Sequence, residues 1–255
     1  MTTVECYAYS LDYQFLTDYA LVTNGSASMQ PGSLVIGDVR YIYDGPLPDP
    51  NIKGDIEGDV TLNEPIRNWP TAENVTAFYL DDVAGLVPES SYHINRRVDN
   101  IGPLYLYNSG EPVRITSAAD KCGQLDGTVY VSGDLKVDLM QGSQIDLNGQ
   151  TIFVDGSIGM QPGTPFSGPG CIIATGDINF QPNLMNTEFV LVMSVEGSIR
   201  AQPGSDFYGT LAAANGVQIQ PGGGIINPGT DPGDLHFPGM DEETHQITIA
   251  AYTVK

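Results

Sequence analysis

Asp55, Glu57 and Asp59 stand at i, i+2 and i+4, a spacing that on one extended strand would point three carboxylates to the same side. Clustered carboxylates on an outer face can hold a calcium ion through hard oxygen ligands, and a pair of them can protonate and attack a glycosidic bond. Asp49 and Glu64 flank the trio. Gly54 and Gly58 interrupt the run and favour a bend, so a solvated acidic stretch is the simpler expectation, and the trio is kept only as the candidate metal ligands. A second set, Asp134, Asp155 and Asp177, adjoins Gly133, Gly156 and Gly176. Asp beside a corner glycine ordinarily bonds the local backbone.

The remaining chemistry is sparse. His93, His236 and His245 lack metal-ligand spacing, Arg96 and Arg97 adjoin each other near His93, and Lys121, Lys136 and Arg200 are isolated. Neither a nucleophile elbow nor a phosphate loop occurs. Asp231-Pro232-Gly233-Asp234 and Asp241-Glu242-Glu243 gather oxygen ligands without a calcium-loop spacing. The sequence therefore predicts no catalytic residue and no cofactor, with calcium allowed but not indicated. Cys6, Cys122 and Cys171 are too dispersed for a zinc or redox motif. Cys171, beside Ile172 and Ile173, reads as a core residue. With 31 acidic against 10 basic residues the formal charge is -21, which repels phosphate backbones and anionic lipid, so nucleic acid is excluded as a partner.

What positions these groups is a repeat. Gln-Pro-Gly begins at Gln30, Gln161, Gln202 and Gln220, with Gln181-Pro182-Asn183 as a variant, and the last four starts lie 20, 21 and 18 residues apart. A period near twenty indicates a solenoid. Ahead of each Gln sit alternating apolar pairs, Ala27 and Met29, Ile158 and Met160, Ile178 and Phe180, Ile199 and Ala201, Val217 and Ile219. These are short strands with one buried face. Gly25, Gly156, Gly176, Gly197 and Gly216 precede them at a corner, and the Pro-Gly that follows suits a type II turn. Stacking such coils puts Ile158, Ile178 and Ile199 in one column and the Gln residues in another, where a hydrogen-bonded ladder is expected. The fold class is all-β, a right-handed parallel β-helix with a short helix-containing insertion. The content of 30 Gly and 18 Pro, 41% hydrophobic and 16% charged residues agrees.

The sequence divides into five stretches of one continuous domain. Residues 1–20 are aromatic-rich and expected to cap the first coil. Residues 21–65 read as the first coils, 66–118 as an insertion, 119–235 as the main β-helix and 236–255 as a terminal strand or cap. Within the insertion Ala72, Val75, Tyr79 and Val83 recur at helical spacing between Pro70 and Gly85, which predicts a helix packed on the flank. No run of eighteen apolar residues occurs, and Met1 is read as a start that follows a removed anchor.

The runs Asp18-Tyr19-Ala20-Leu21 into Asn24-Gly25, Gly127 to Val137, Leu147 to Gly156 and Ile173 to Pro182 resemble the β-helical domain of PilX-like surface proteins associated with type IV pilus assembly. That resemblance implies an extracellular, non-catalytic structural or adhesive module at the cell surface, with pilus or other surface proteins, and glycans, as partners. Two alternatives stay open, a carbohydrate-binding or carbohydrate-cleaving β-helix and a polymer-forming scaffold like bactofilins. Ice binding calls for a flat face of repeated Thr. The outward positions Ser28, Gly159, Asn179, Arg200 and Gln218 are too mixed to suggest it.

Overall fold

A computed structural model of the chain describes residues 4–10, 13–161, 164–181, 188–202, 207–227, 229, 235–238 and 247–254. It is a parallel β-solenoid with three faces. Most coils run through three short strands, and equivalent strands of neighbouring coils pair in parallel, as the spacing of the repeat requires.

The order of the coils departs from the order of the sequence. On one face the neighbours run Leu104–Tyr107, Val129–Ser132, Thr151–Asp155, Gly170–Ala174, Val190–Ser194, Phe207–Ala213, then Tyr19–Thr23, Asp38–Tyr41 and Val60–Leu62. The N-terminal coils thus sit on top of the C-terminal one, with Leu21 opposite Leu211 and Ala27 opposite Val217. The segment 66–118, expected as an insertion, is in part a connector between the two ends of the stack. Its helix lies outside the coils, but Ser91–Ile94, Val98–Ile101, Leu104–Tyr107 and Val113–Ser117 are ordinary coil strands. They escape the repeat pattern because they lack the Gln-Pro-Gly corner.

The interior is the apolar column that the repeat predicts. Ile178 pairs with Ile158 on one side and Ile199 on the other, and Val217 and Ala27 continue the row. All are buried, so each supports its neighbours through close-packed contacts rather than through any single strong interaction. At the first corner Ser33 N donates to Gln30 O at 3.2 Å and Gly32 has φ +79°, as a type II turn demands. Pro162-Gly163, Pro182-Asn183 and Pro203-Gly204 lie outside the described residues. The Gln column is joined through main-chain amides, Gln30 N to Ile219 O, Gln161 N to Val137 O, Gln202 N to Phe180 O and Gln220 N to Ala201 O, at 2.8 to 3.1 Å. Among the described residues the Gln side chains of that column form no ladder.

The helix spans Ala72–Asp82, with Thr71 as its N-cap accepting from Asn74 N. It lays Val75, Phe78, Tyr79 and Val83 on the outer side of the nine-strand face, where Tyr130, Phe153, Ile173 and Met193 project to meet it in a second core that also takes Leu16, Leu235 and Phe237. Strands buried on both sides read as continuous apolar runs, and Gly170–Ala174 and Val190–Ser194 are such runs. The Tyr79 and Phe153 rings stack with centroids 4.9 Å apart.

The expected N-terminal cap is not one. Val4–Ser10 pairs antiparallel with Ile247–Val254 in a separate two-stranded sheet. The first coil needs no cap, because Tyr19–Thr23 lies between Phe207–Ala213 and Asp38–Tyr41.

Candidate functional site

The three faces differ in what covers them. The nine-strand face carries the helix. Among the described residues a second face comprises Phe166–Ser167, Gln144–Asp146, Cys122–Leu125 and Val98–Ile101, together with Gly224–Ile226, Leu34–Ile36 and Asp55–Glu57. The third is an unbroken eight-strand sheet, Ser26–Met29, Gly216–Ile219, Ser198–Ala201, Ile178–Phe180, Ile158–Met160, Leu135–Asp138, Val113–Ser117 and Ser91–Ile94. It is the open face.

Alternation in short strands builds its surface. The inward residues are apolar, and the outward ones fall into columns at the rung spacing of about 4.8 Å. The central column reads Ser28, Gln218, Arg200, Asn179, Gly159, Lys136, Arg114 and Ser91. Beside it, Ser26, Gly216 and Ser198 continue toward the corner residues Asp177, Ser157 and Asp134. Around Arg200 lies an open trough of about 390 Å3, lined by Ser28, Asn179, Ser198, Arg200, Gln218 and Asp177 among others.

The corner aspartates are partly explained. Asp134 Oδ1 accepts from Ser157 N at 2.9 Å and Asp177 Oδ1 from Ser198 N at 2.8 Å, while Asp155 Oδ1 accepts from Thr175 Oγ1 at 3.3 Å. Each bonds the next coil, not its own corner as expected, since a rung lies closer to the carboxylate than the residues two places on. Asp38 repeats the arrangement with Asp59 N at 3.0 Å. These groups are structural rungs, with no base or acid set against them.

The carboxylate trio does not assemble. Asp55 and Glu57 are exposed on the second face, opposite Leu34 and Ile36, but the strand ends there. Gly58 turns the chain so tightly against Gly37 that a Cβ would fall 2.2 Å from Gly37 O, which carries Asp59 around the corner. Among the described residues no group of three His, Cys, Asp or Glu side chains is placed to hold a metal ion. Glu64 is exposed, 3.8 Å from Arg40. Asp49 is buried, with Oδ1 accepting from Asn51 N at 2.8 Å and Oδ2 without a hydrogen-bond partner. Desolvation and the Asp49 carboxylate push the Tyr41 hydroxyl up to about 12.

Sequence reasoning passed over one polar constellation. His236 Nε2 lies 2.7 Å from Asp82 Oδ2, which also accepts from the Thr128 hydroxyl at 2.5 Å. The carboxylate sits in the middle, so the imidazole is not aimed at the hydroxyl and no nucleophile is activated. Its work is to fasten the end of the helix. Burial raises the Asp82 carboxyl and the bonds from His236 and Thr128 lower it, the net direction being down. Cys122 and Cys171 are free, and burial pushes the Cys171 thiol up to about 12, an inert core group.

No family model matches the chain, and no curated protein does. Several solved structures share the solenoid. An ice-binding protein from an Antarctic biological consortium is 20% identical over 89% of this chain and 93% of that one, with a TM-score of 0.35. An ice-binding protein from an Arctic yeast is 11% identical over 86% and 94%, at 0.31. The ice-binding protein domain from Shewanella frigidimarina is 14% identical over 86% and 98%, at 0.24. At these values the likeness carries no argument about what this chain does. The resemblance to PilX-like pilus-associated proteins is corrected by this outcome, since these similar structures are ice-binding proteins and not pilus components. The repeated strands and corners that suggested it belong to the solenoid architecture rather than to one family.

Proposed function

We propose that the protein is a non-catalytic, extracellular binding module that presents the open face to an extended, repetitive ligand. One observation carries this reading. Of the three faces, one is sealed by a second apolar core, and one is a continuous eight-strand sheet whose outward side chains are polar and largely unengaged. A stack of parallel rungs holds such side chains at fixed intervals, so a ligand with its own repeat meets many weak contacts in register. The corner aspartates and the His236–Asp82 pair hold coils and helix together, which supports a role without turnover.

Ice, which the similar structures are named for binding, is a second reading that one feature of this chain favours. Ser26, Ser28 and Ser198 place small hydroxyl groups on the sheet. Arg200, Lys136 and Arg114 stand among them and break the regular surface an ice lattice would meet.

The test is to compare the chain with a Ser198→Tyr variant for retention on insoluble polysaccharides and for thermal hysteresis in supercooled solution. Binding that the tyrosine removes, with an unchanged thermal melt, supports the open face. Binding indifferent to that substitution overturns it.

A further inference from the structure

We infer that the open face takes an acidic polysaccharide, a linear chain bearing uronate-type carboxylates, laid along the solenoid axis over Arg114, Lys136, Gly159, Asn179 and Arg200. This rests on the open face being the binding surface and names the ligand class for it.

The first observation is charge placement. The chain has ten Lys and Arg against 31 acids, yet three of the ten, Arg114, Lys136 and Arg200, fall in one outward column. Among the described residues the ion pairs are Arg40 with Glu64, Arg96 with Asp99 and His236 with Asp82, so none of the three is paired. The nearest carboxylates do not cancel them all. Asp134 and Asp177, exposed at the corner, each accept a main-chain N–H from the next coil, Ser157 N and Ser198 N, and Asp138, opposite Thr116, is exposed on the sheet itself; none of the three forms an ion pair with these cations among the described residues. His93 adjoins the same end, its Nδ1 2.9 Å from Thr116 Oγ1. At a Debye length of about 8 Å the remaining negative charge of the molecule is largely screened from the stripe.

The second observation is independent of charge. Gly159 sits mid-strand in the same column, between Lys136 and Asn179. Its φ is not in the left-handed region, and a Cβ built there would meet nothing nearer than Leu135 O at 4.0 Å. Neither the turn chemistry nor the packing asks for glycine, which weakens a strand where it stands. A bare backbone at this point makes sense as the floor under a close-lying ligand. Lys136 and Arg114 are on adjacent rungs and Arg200 is about 14 Å beyond Lys136, three rungs on. The gap between them is filled by the glycine floor and the Asn179 amide, and the trough beyond continues over Ser198, Gln218 and Ser28. Guanidinium and ammonium groups suit carboxylates, and amides and hydroxyls suit sugar hydroxyls.

Polygalacturonate and its fully methyl-esterified form are the probes, titrated calorimetrically against the full chain. The expected result is binding of the acid polymer that weakens with added salt, and a loss of at least about tenfold on esterification. Arg200→Gln and the pair Arg114→Gln with Lys136→Gln each weaken it by about tenfold, whereas Lys121→Gln, off this face, does not. Gly159→Gln abolishes binding while its melting temperature holds. Equal binding of the esterified polymer, or retention of ice or a neutral glycan in place of the acid one with sensitivity to Gly159→Gln, overturns the ligand class and leaves the face standing. Indifference of all binding to Gly159→Gln and Arg200→Gln overturns both.

Discussion

His236 and Asp82 lie 154 residues apart in the chain and meet at 2.7 Å, joining the C-terminal segment to the last residue of the helix. The same histidine's carbonyl accepts from the Tyr79 hydroxyl at 2.8 Å and the Thr151 hydroxyl at 2.6 Å. Connector helix, solenoid strand and C-terminal segment are thus locked at one residue.

Asp82 makes that lock acid-sensitive. Its carboxyl lies below the ordinary value of 3.8 because the bonds from His236 and Thr128 outweigh burial. A lowered folded value means the contribution is complete above the unfolded value and disappears as pH falls through the folded one. Melting temperature should therefore decline below about pH 4, and Asp82→Asn should lower the neutral-pH melt by about 1 to 2 kcal/mol while flattening the acid limb. Calorimetric scans of both proteins from pH 7 to pH 2 provide the check.

Tyr79→Phe keeps the ring stacked on Phe153 and removes one hydroxyl, and Thr151 still serves the His236 carbonyl. The expected loss is about 1 kcal/mol. Tyr79→Ala empties the centre of the second core, at about 3 to 5 kcal/mol. Trp69, the chain's single tryptophan, donates from Nε1 to Val195 O at 2.8 Å, so its fluorescence reports connector docking separately from the strand signal in circular dichroism. A red-shifted Trp69 in Tyr79→Ala with the strand signal retained is the expected outcome.

Ile178→Asp places a charge at a fully enclosed position between Ile158 and Ile199. Nothing there can pair with it, and neighbouring coils depend on the same column. Cooperative melting should vanish, whereas Ile178→Val should cost about 1 kcal/mol. An aspartate variant that melts like the parent would remove Ile178 from the interior.

Gly209 and Gly159 should answer oppositely to Ala. Gly209 has φ +148°, and a Cβ would lie 2.0 Å from Val190 O, with no flexible side chain to give way. Gly209→Ala should cost more than about 2 kcal/mol. Gly159→Ala meets open space and should stabilise by about 0.5 to 1 kcal/mol. Chemical denaturation of the two variants distinguishes them.

The solenoid was legible because its causes are local. Alternating Ile158 and Met160 or Ile178 and Phe180, each closed by Gln-Pro, fix a strand, an inward face and a corner without reference to anything distant. The order of the coils was not, since Ala27 and Met29 offer the same apolar knobs whether Val217 or another row lies beneath. The strands of 91–117 were hidden for want of the corner signature. The helix-covered face left a mark that could have been used, in that Cys171, Ile172 and Ile173 are apolar on successive positions and so need cover on both sides. The open-face stripe was visible only as scattered cations, because Arg114, Lys136 and Arg200 come together through register alone.

The inverted stacking of the coils has a consequence for biosynthesis. Tyr19–Thr23 and Ser26–Met29 emerge from the ribosome well before the template they pair with, Phe207–Ala213 and Gly216–Ile219, is made. Until that template is made these strands have one fewer partner than in the finished rod, with an apolar edge open to other nascent chains. The seam closes late and over a long contour, so slow folding and a need for protection from neighbouring chains are built into the connectivity itself.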